Sequence, residues 1–169
     1  NENAQGSKYL TPQLTFLDKH YNNSTDFFSS IFLLLKEKGY VRDSFLDAIL
    51  AREKAYPTGL PTLPVAIALP HTDPQHVIRP FISVTRLSQP LAWQEMGNDD
   101  NTLYVQFIVL LGFDRKPESL ELNGVSLSES ASLNALNYGS GWYWREDTAV
   151  IVSVPKLEKT EIHVVYKEQ

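Results

Sequence analysis

Val65-Ala66-Ile67-Ala68-Leu69-Pro70-His71-Thr72 reads as a short apolar strand halted by proline, with an imidazole set immediately after the halt. Proline has no backbone N–H and cannot extend a ladder, so Pro70 ends the strand and delivers His71 to its tip. Strand ends and the loops beyond them are where reactive groups concentrate, while strand interiors serve packing. The expected place for His71 is therefore a working rim rather than the core.

Outward from this strand, two helices are expected upstream. Phe27, Phe28, Ile31, Phe32 and Leu35 recur at helical spacing, with Ser24 or Thr25 as the N-cap and Gly39 as the stop. A second helix should run from Asp43 or Ser44 to Glu53, turning Phe45, Leu46, Ile49 and Leu50 inward, and Tyr56-Pro57-Thr58-Gly59 turns the chain after it. Residues 1–12 read as polar and loose. Downstream, Phe81–Leu87 alternates as a strand, Gly97–Asn101 reads as a loop, and Leu103–Leu111 as a buried central strand. Helix, helix, strand, strand, strand makes an α/β domain: a mixed β-sheet flanked by helices.

Beyond Phe113 the character changes. Leu120–Leu127 carries Asn123-Gly124, the pair suited to a type I′ hairpin, which would set Leu122 opposite Val125 and Leu120 opposite Leu127. Ala149–Val154 and Glu161–Tyr166 are further strand-like runs. The expected organisation is a domain over residues 1–113 and an atypical β-rich C-terminal segment over 114–169.

Composition narrows the function. With 169 residues, 43% hydrophobic and 21% charged, the chain can bury an ordinary globular core. A net charge of −5 speaks against nucleic acid as a partner. The absence of cysteine excludes disulfides and thiolate chemistry and suits a cytoplasmic location. No apolar run reaches the roughly 20 residues that span a bilayer, so direct membrane insertion is not expected. The N-terminal run shows no export pattern and lacks an initiator Met, as a trimmed chain would.

A lone histidine is more often structural than reactive, but the neighbours of His71 shift that balance. A phosphoryl acceptor needs a neutral imidazole with a free lone pair. It also needs donors for the phosphoryl oxygens. Arg52 offers a planar guanidinium fork, and Thr58 and Thr72 offer hydroxyls. The spacing alone does not show that these residues converge.

Arg52-Glu53, then Pro57-Thr58-Gly59, a spacer through Leu60–Pro64, and Ala66-Ile67-Ala68-Leu69-Pro70-His71-Thr72 together resemble the IIA component of the fructose/mannitol class of the bacterial phosphoenolpyruvate-dependent sugar phosphotransferase system. The likeness extends over about residues 14–113. The long spacer and Asp99-Asp100-Asn101 are most similar to the galactitol-type branch. The resemblance implies a phosphohistidine carrier: His71 as the phosphorylated residue, Arg52 steadying the phosphoryl group, the phosphocarrier HPr as donor, and a sugar-specific IIB domain as acceptor during uptake through a membrane IIC. It implies no cofactor and no metal.

There are departures from the family. The second histidine many relatives carry would fall near Lys116–Ser119, where this chain has none, as in some galactitol-type members. The family also continues in helices where this chain offers hairpin chemistry, and Gly141-Trp142-Tyr143-Trp144 resembles the small β-domain that ends some glycoside hydrolases. Two rival readings follow: a regulatory IIA-like phosphorylation sensor, and a carbohydrate-binding or accessory β module. The remaining candidates read as structural. His20 and His76 fit loops, His163 a strand surface, Asp99 and Asp100 a solvated turn, and Glu53 and Lys54 a charged helix end.

Overall fold

The computed structural model describes residues 10–62, 65–116, 119–122, 125–127, 129, 141–145, 148–152 and 162–165. Its centre is a hairpin of two long strands, β4 (Phe81–Glu95) and β5 (Asn98–Gly112), turned at Gly97, whose φ of 75° suits a residue without a Cβ. β1 (Leu10–Lys19) runs parallel to β4. The short β3 (Ala66–Ala68) runs parallel to β5, and β2 (Gly59–Leu60) is antiparallel to β3 while touching β4 at Glu95. The result is the expected α/β arrangement with a mixed sheet.

Helices α1 (Ser24–Glu37) and α2 (Phe45–Ala55) pack on one face of this sheet. Phe27, Phe28, Ile31 and Leu35 of α1 and Phe45 and Ile49 of α2 meet Leu14, Phe81, Trp93 and Ile108 in the larger core cluster. Strand residues of the opposite parity, Ile67, Ile82, Val109 and Leu111, join Leu60, Leu69 and Phe113 in a second cluster. Alternating side chains thus bury both faces of β5, as its unbroken apolar run requires.

Several local expectations are corrected. Residues 10–12 are not loose: they begin β1, whose edge position tolerates Pro12. The α1 cap is Asn23, whose side-chain oxygen accepts from the Asp26 N–H at 2.8 Å, with Ser24 already inside the helix. Asn98–Asn101 is strand rather than loop. Asn98 and Asn101 both donate to Glu95, and Gln94 donates to the Asp99 carbonyl, so side chains across the hairpin hold a sequence with little strand propensity of its own.

After Phe113, β6 (Ser119–Leu122) and β7 (Val125–Leu127) pair in the expected register, Leu122 with Val125 and Leu120 with Leu127. The Asn123-Gly124 turn lies outside the described residues. β8 (Gly141–Arg145) pairs with β9 (Thr148–Val152), and β10 (Ile162–Val165) pairs with β6.

Candidate active site

β3 ends at Ala68, and Pro70 and His71 leave it along the end of β5. The Leu111 N–H donates to the Pro70 carbonyl at 3.0 Å, and His71 forms an isolated parallel bridge with Leu111. His71 therefore stands where two parallel strands, β3 and β5, reach their carboxyl ends, the usual place for a ligand site in such sheets.

It is not on an open rim, contrary to the expectation from the strand end. His71 is only 1% exposed, and its ring meets Phe113 edge-on with centroids 6.3 Å apart. Phe113 belongs to the second core cluster, so the imidazole packs against an aromatic side chain of that core. Burial disfavours the imidazolium and holds the His71 pKa down at about 4. The hydrogen bond to Leu69 opposes that shift, the positive charge of Arg52 reinforces it, and Asp73 opposes it.

The two ring nitrogens are in different situations. Nδ1 lies 2.9 Å from the Leu69 carbonyl oxygen. A carbonyl can only accept, so Nδ1 carries the proton in this contact. In the neutral ring Nε2 then keeps the lone pair, and among the described residues Nε2 meets no hydrogen-bond partner. A buried, unpartnered acceptor is costly unless something binds it. Nε2 thus keeps a lone pair that a ligand could engage.

Arg52 lies in the last turn of α2, half-buried, with its guanidinium carbon 4.5 Å from the Tyr56 ring centroid. Its charge reaches both His71 and Glu53. Thr72 follows the histidine and is 2% exposed. Thr58 is equally buried, but its groups are engaged: N–H and hydroxyl both donate to the Glu53 carboxylate, at 2.8 and 2.9 Å for the shorter contacts, and its carbonyl accepts from the Leu69 N–H at 3.1 Å. In this conformation the Thr58 hydroxyl proton is committed to Glu53 rather than offered to a ligand.

Glu53 was expected to be only a charged helix end; it lies in the last turn of α2 but turns inward to buried donors. It lies against the core beneath the site, where its Oε1 also accepts from the buried Trp93 indole N–H at 2.5 Å. Burial raises its pKa, opposed by the Thr58 and Trp93 hydrogen bonds and by Arg52. The sequence holds one hint of this role, since a carboxylate five residues before a Thr-Gly turn can cap that turn's N–H. Nothing in it flags Trp93 or Phe113. Lys54 is exposed, as expected.

Of the other candidates, none whose side chain is described hydrogen-bonds to His71. His20 is exposed, while His76 is half-buried, with its Nδ1 2.8 Å from the Ser44 hydroxyl. Asp99 and Asp100 are exposed on β5. The side chain of His163, which sits in β10, and the rings of Trp142–Trp144 lie outside the described residues. No group of His, Asp or Glu among the described residues is arranged to hold a metal ion.

The family described as the phosphoenolpyruvate-dependent sugar phosphotransferase system, EIIA 2, matches residues 8–127. The chain belongs to that family. The match continues past Phe113 and takes in β6 and β7. The galactitol-specific EIIA component of Escherichia coli (strain K12) is 32% identical over 85 residues, which cover 50% of this chain and 56% of that protein. The chain thus spans little more than half the length of this curated relative. Among solved structures, the mannitol-specific cryptic phosphotransferase enzyme IIA CmtB from E. coli matches with a TM-score of 0.52 at 18% identity, over 66% of this chain and 72% of that one. IIA mannitol from E. coli, solved in complex with phosphorylated enzyme IIB mannitol, matches with a TM-score of 0.50 at 18% identity, over 63% and 72% of the two chains. These similarities agree on the fold, a IIA-type mixed sheet with helices against it.

Proposed function

We propose that this EIIA-family chain is a phosphohistidine carrier, in which Nε2 of His71 takes a phosphoryl group from HPr and passes it to a sugar-specific IIB domain. The observation that carries the reading is the asymmetry of the imidazole: one nitrogen pinned to a backbone carbonyl, the other left with a lone pair. Neutrality matters as much as position, because a ring whose pKa lies near 4 keeps that lone pair throughout the physiological range.

Each transfer is an in-line displacement at phosphorus. The new P–N bond forms to Nε2 as the donor's P–N bond breaks, and the departing electron pair stays on the donor's ring nitrogen. Positive charge appearing on the His71 ring is shared through Nδ1–H with the Leu69 carbonyl. Arg52 offsets the negative phosphoryl oxygens, and Thr72 supplies a further donor. Thr58 joins them only if its hydroxyl turns away from Glu53. The cover over Nε2 has to part as the donor docks, and the same cover keeps water from a labile P–N bond afterwards.

Galactitol is the substrate class we assign, on the 32% identity to galactitol-specific EIIA components and the long spacer before β3. The IIB partner is supported by the mannitol IIA structure, which holds its own phosphorylated IIB. A cytoplasmic location belongs to this reading, because HPr would meet the chain there; separately, no helix among the described residues is long and apolar enough to cross a membrane. The residues of the site lie within 1–113, the module we assign to phosphotransfer.

The test is labelled phosphoenolpyruvate with Enzyme I and HPr. The chain should take up label and lose it to a galactitol-type IIB faster than to a mannitol-type IIB, and His71→Ala should take up none. Undiminished labelling of His71→Ala would remove His71 from the mechanism.

A further inference from the structure

Between the end of α2 and the imidazole runs a relay of hydrogen bonds whose first member is a carboxylate. Glu53 gathers the Thr58 N–H, the Thr58 hydroxyl and the Trp93 indole N–H. Thr58 is thereby fixed at the start of β2, and its carbonyl receives the Leu69 N–H at 3.1 Å. The Leu69 carbonyl in turn receives Nδ1–H of His71 at 2.9 Å. The next residue along, Gly59, is tight on its other side: its carbonyl accepts from the Met96 N–H at 2.8 Å, and a Cβ there would lie 2.5 Å from the Gln94 carbonyl oxygen.

The geometry points to Glu53 as a positioning residue of the phosphoryl site: by clamping the Thr58 turn to Trp93, it fixes the Leu69 carbonyl and so the tautomer and aim of the His71 ring. The inference rests on the reading of His71 as the nucleophile and adds the group that holds it in register.

The donors around Glu53 fit an acceptor and not a particular charge. In Glu53→Gln the amide oxygen can still accept from the Thr58 and Trp93 N–H groups, while the amide NH₂ donates to the Thr58 hydroxyl, whose role simply reverses. Glu53→Ala leaves two buried donors, the Thr58 N–H and the Trp93 indole, without an acceptor. The turn can then shift toward other partners, and the Leu69 carbonyl shifts with it. The contrast between an amide that rescues and a methyl that does not separates positioning from a need for negative charge.

Two readouts are combined on the full chain. The first is the ¹⁵N NMR pattern of the His71 ring without any phosphoryl donor, which reports which nitrogen bears the proton. The second is the rate of phosphoryl uptake from phosphorylated HPr. The unmodified chain and Glu53→Gln should show a single form protonated on Nδ1 and rates within about threefold of each other. Glu53→Ala should show both tautomers and a rate lower by about 10- to 100-fold, the usual scale for removing a group that orients a reacting side chain. Should Glu53→Ala fail to fold, Glu53→Asp, which keeps the charge but not the reach, takes its place with the same expectation. A folded Glu53→Ala or Glu53→Asp with an unchanged tautomer, or an unchanged rate, overturns the proposal. So does a Glu53→Gln as impaired as Glu53→Ala. The ring tautomer is read without phosphorylation, so a carrier mechanism that fails in the His71→Ala labelling assay leaves a distinct signature from a relay that fails here.

Discussion

Replacing His71 by Asn isolates the consequence of burying an imidazole in its neutral form. The Asn amide can present an N–H near the position of Nδ1, so the bond to the Leu69 carbonyl can persist, while the titrating group is gone. Folding lowers the His71 pKa from 6.5 to about 4. Between those values the unfolded chain binds a proton that the folded chain refuses, so stability rises with pH across the window and falls as the solution is acidified. The full drop from this one group is about 3 kcal/mol, of which about 2 kcal/mol falls between pH 7 and pH 5. Glu53 acts in the opposite direction: its raised pKa lets the folded chain hold a proton the unfolded chain would shed, so its contribution improves on acidification. Comparing the two chains cancels Glu53 and every other group common to both. Urea unfolding at pH 7 and pH 5 should show the unsubstituted chain losing about 2 kcal/mol more than His71→Asn, equivalent to about 4–8 °C in melting temperature at this chain length. Parallel pH profiles would mean that the ring charges freely in the folded state, and the argument for a permanently neutral nucleophile would collapse.

Other perturbations reach different parts of the structure. Gly59→Ala pushes a methyl against the Gln94 carbonyl and should cost about 1–3 kcal/mol in thermal unfolding, with phosphotransfer slowed as β2 moves; an unaffected melting temperature would refute the close approach. Asn23→Ala removes the cap on Asp26 and should cost about 1 kcal/mol without touching transfer, whereas Asn23→Asp should be neutral within about half that. Arg52→Lys keeps the charge but loses the fork and the stacking on Tyr56, and phosphoryl uptake from HPr should slow by about 10- to 100-fold at unchanged fold. A lysine variant as fast as arginine would reduce Arg52 to a general electrostatic role.

The sequence was most readable where one local rule dominated. Pro70 stops β3 because it lacks a donor, and His71 follows as expected. The helix boundaries fell within a residue or two of the caps, and the Leu120–Leu127 register followed from the turn pair. What escaped was settled by partners distant in sequence. β1 opens with Leu10-Thr11-Pro12-Gln13, which shows little strand pattern, and the parallel edge offered by β4 makes it a strand. Asn98–Asn101 looks like a loop until Glu95 and Gln94 hold it across the hairpin. His71 is buried and meets the ring of Phe113, forty-two positions further on, so a strand tip that reads as exposed is not. Glu53 is the sharpest case. Beside Arg52 and Lys54 it looks like solvated charge, and only the return of Thr58 and Trp93 to the same point makes it the hub beneath the site.

The most direct measurement is NMR of the ¹⁵N-labelled chain after phosphorylation by phosphoenolpyruvate, Enzyme I and HPr, reading which nitrogen couples to phosphorus. Phosphorus should appear at a single site, Nε2 of His71, with Nδ1 still protonated against the Leu69 carbonyl. Phosphorus found on Nδ1, or on any other residue, would contradict this assignment.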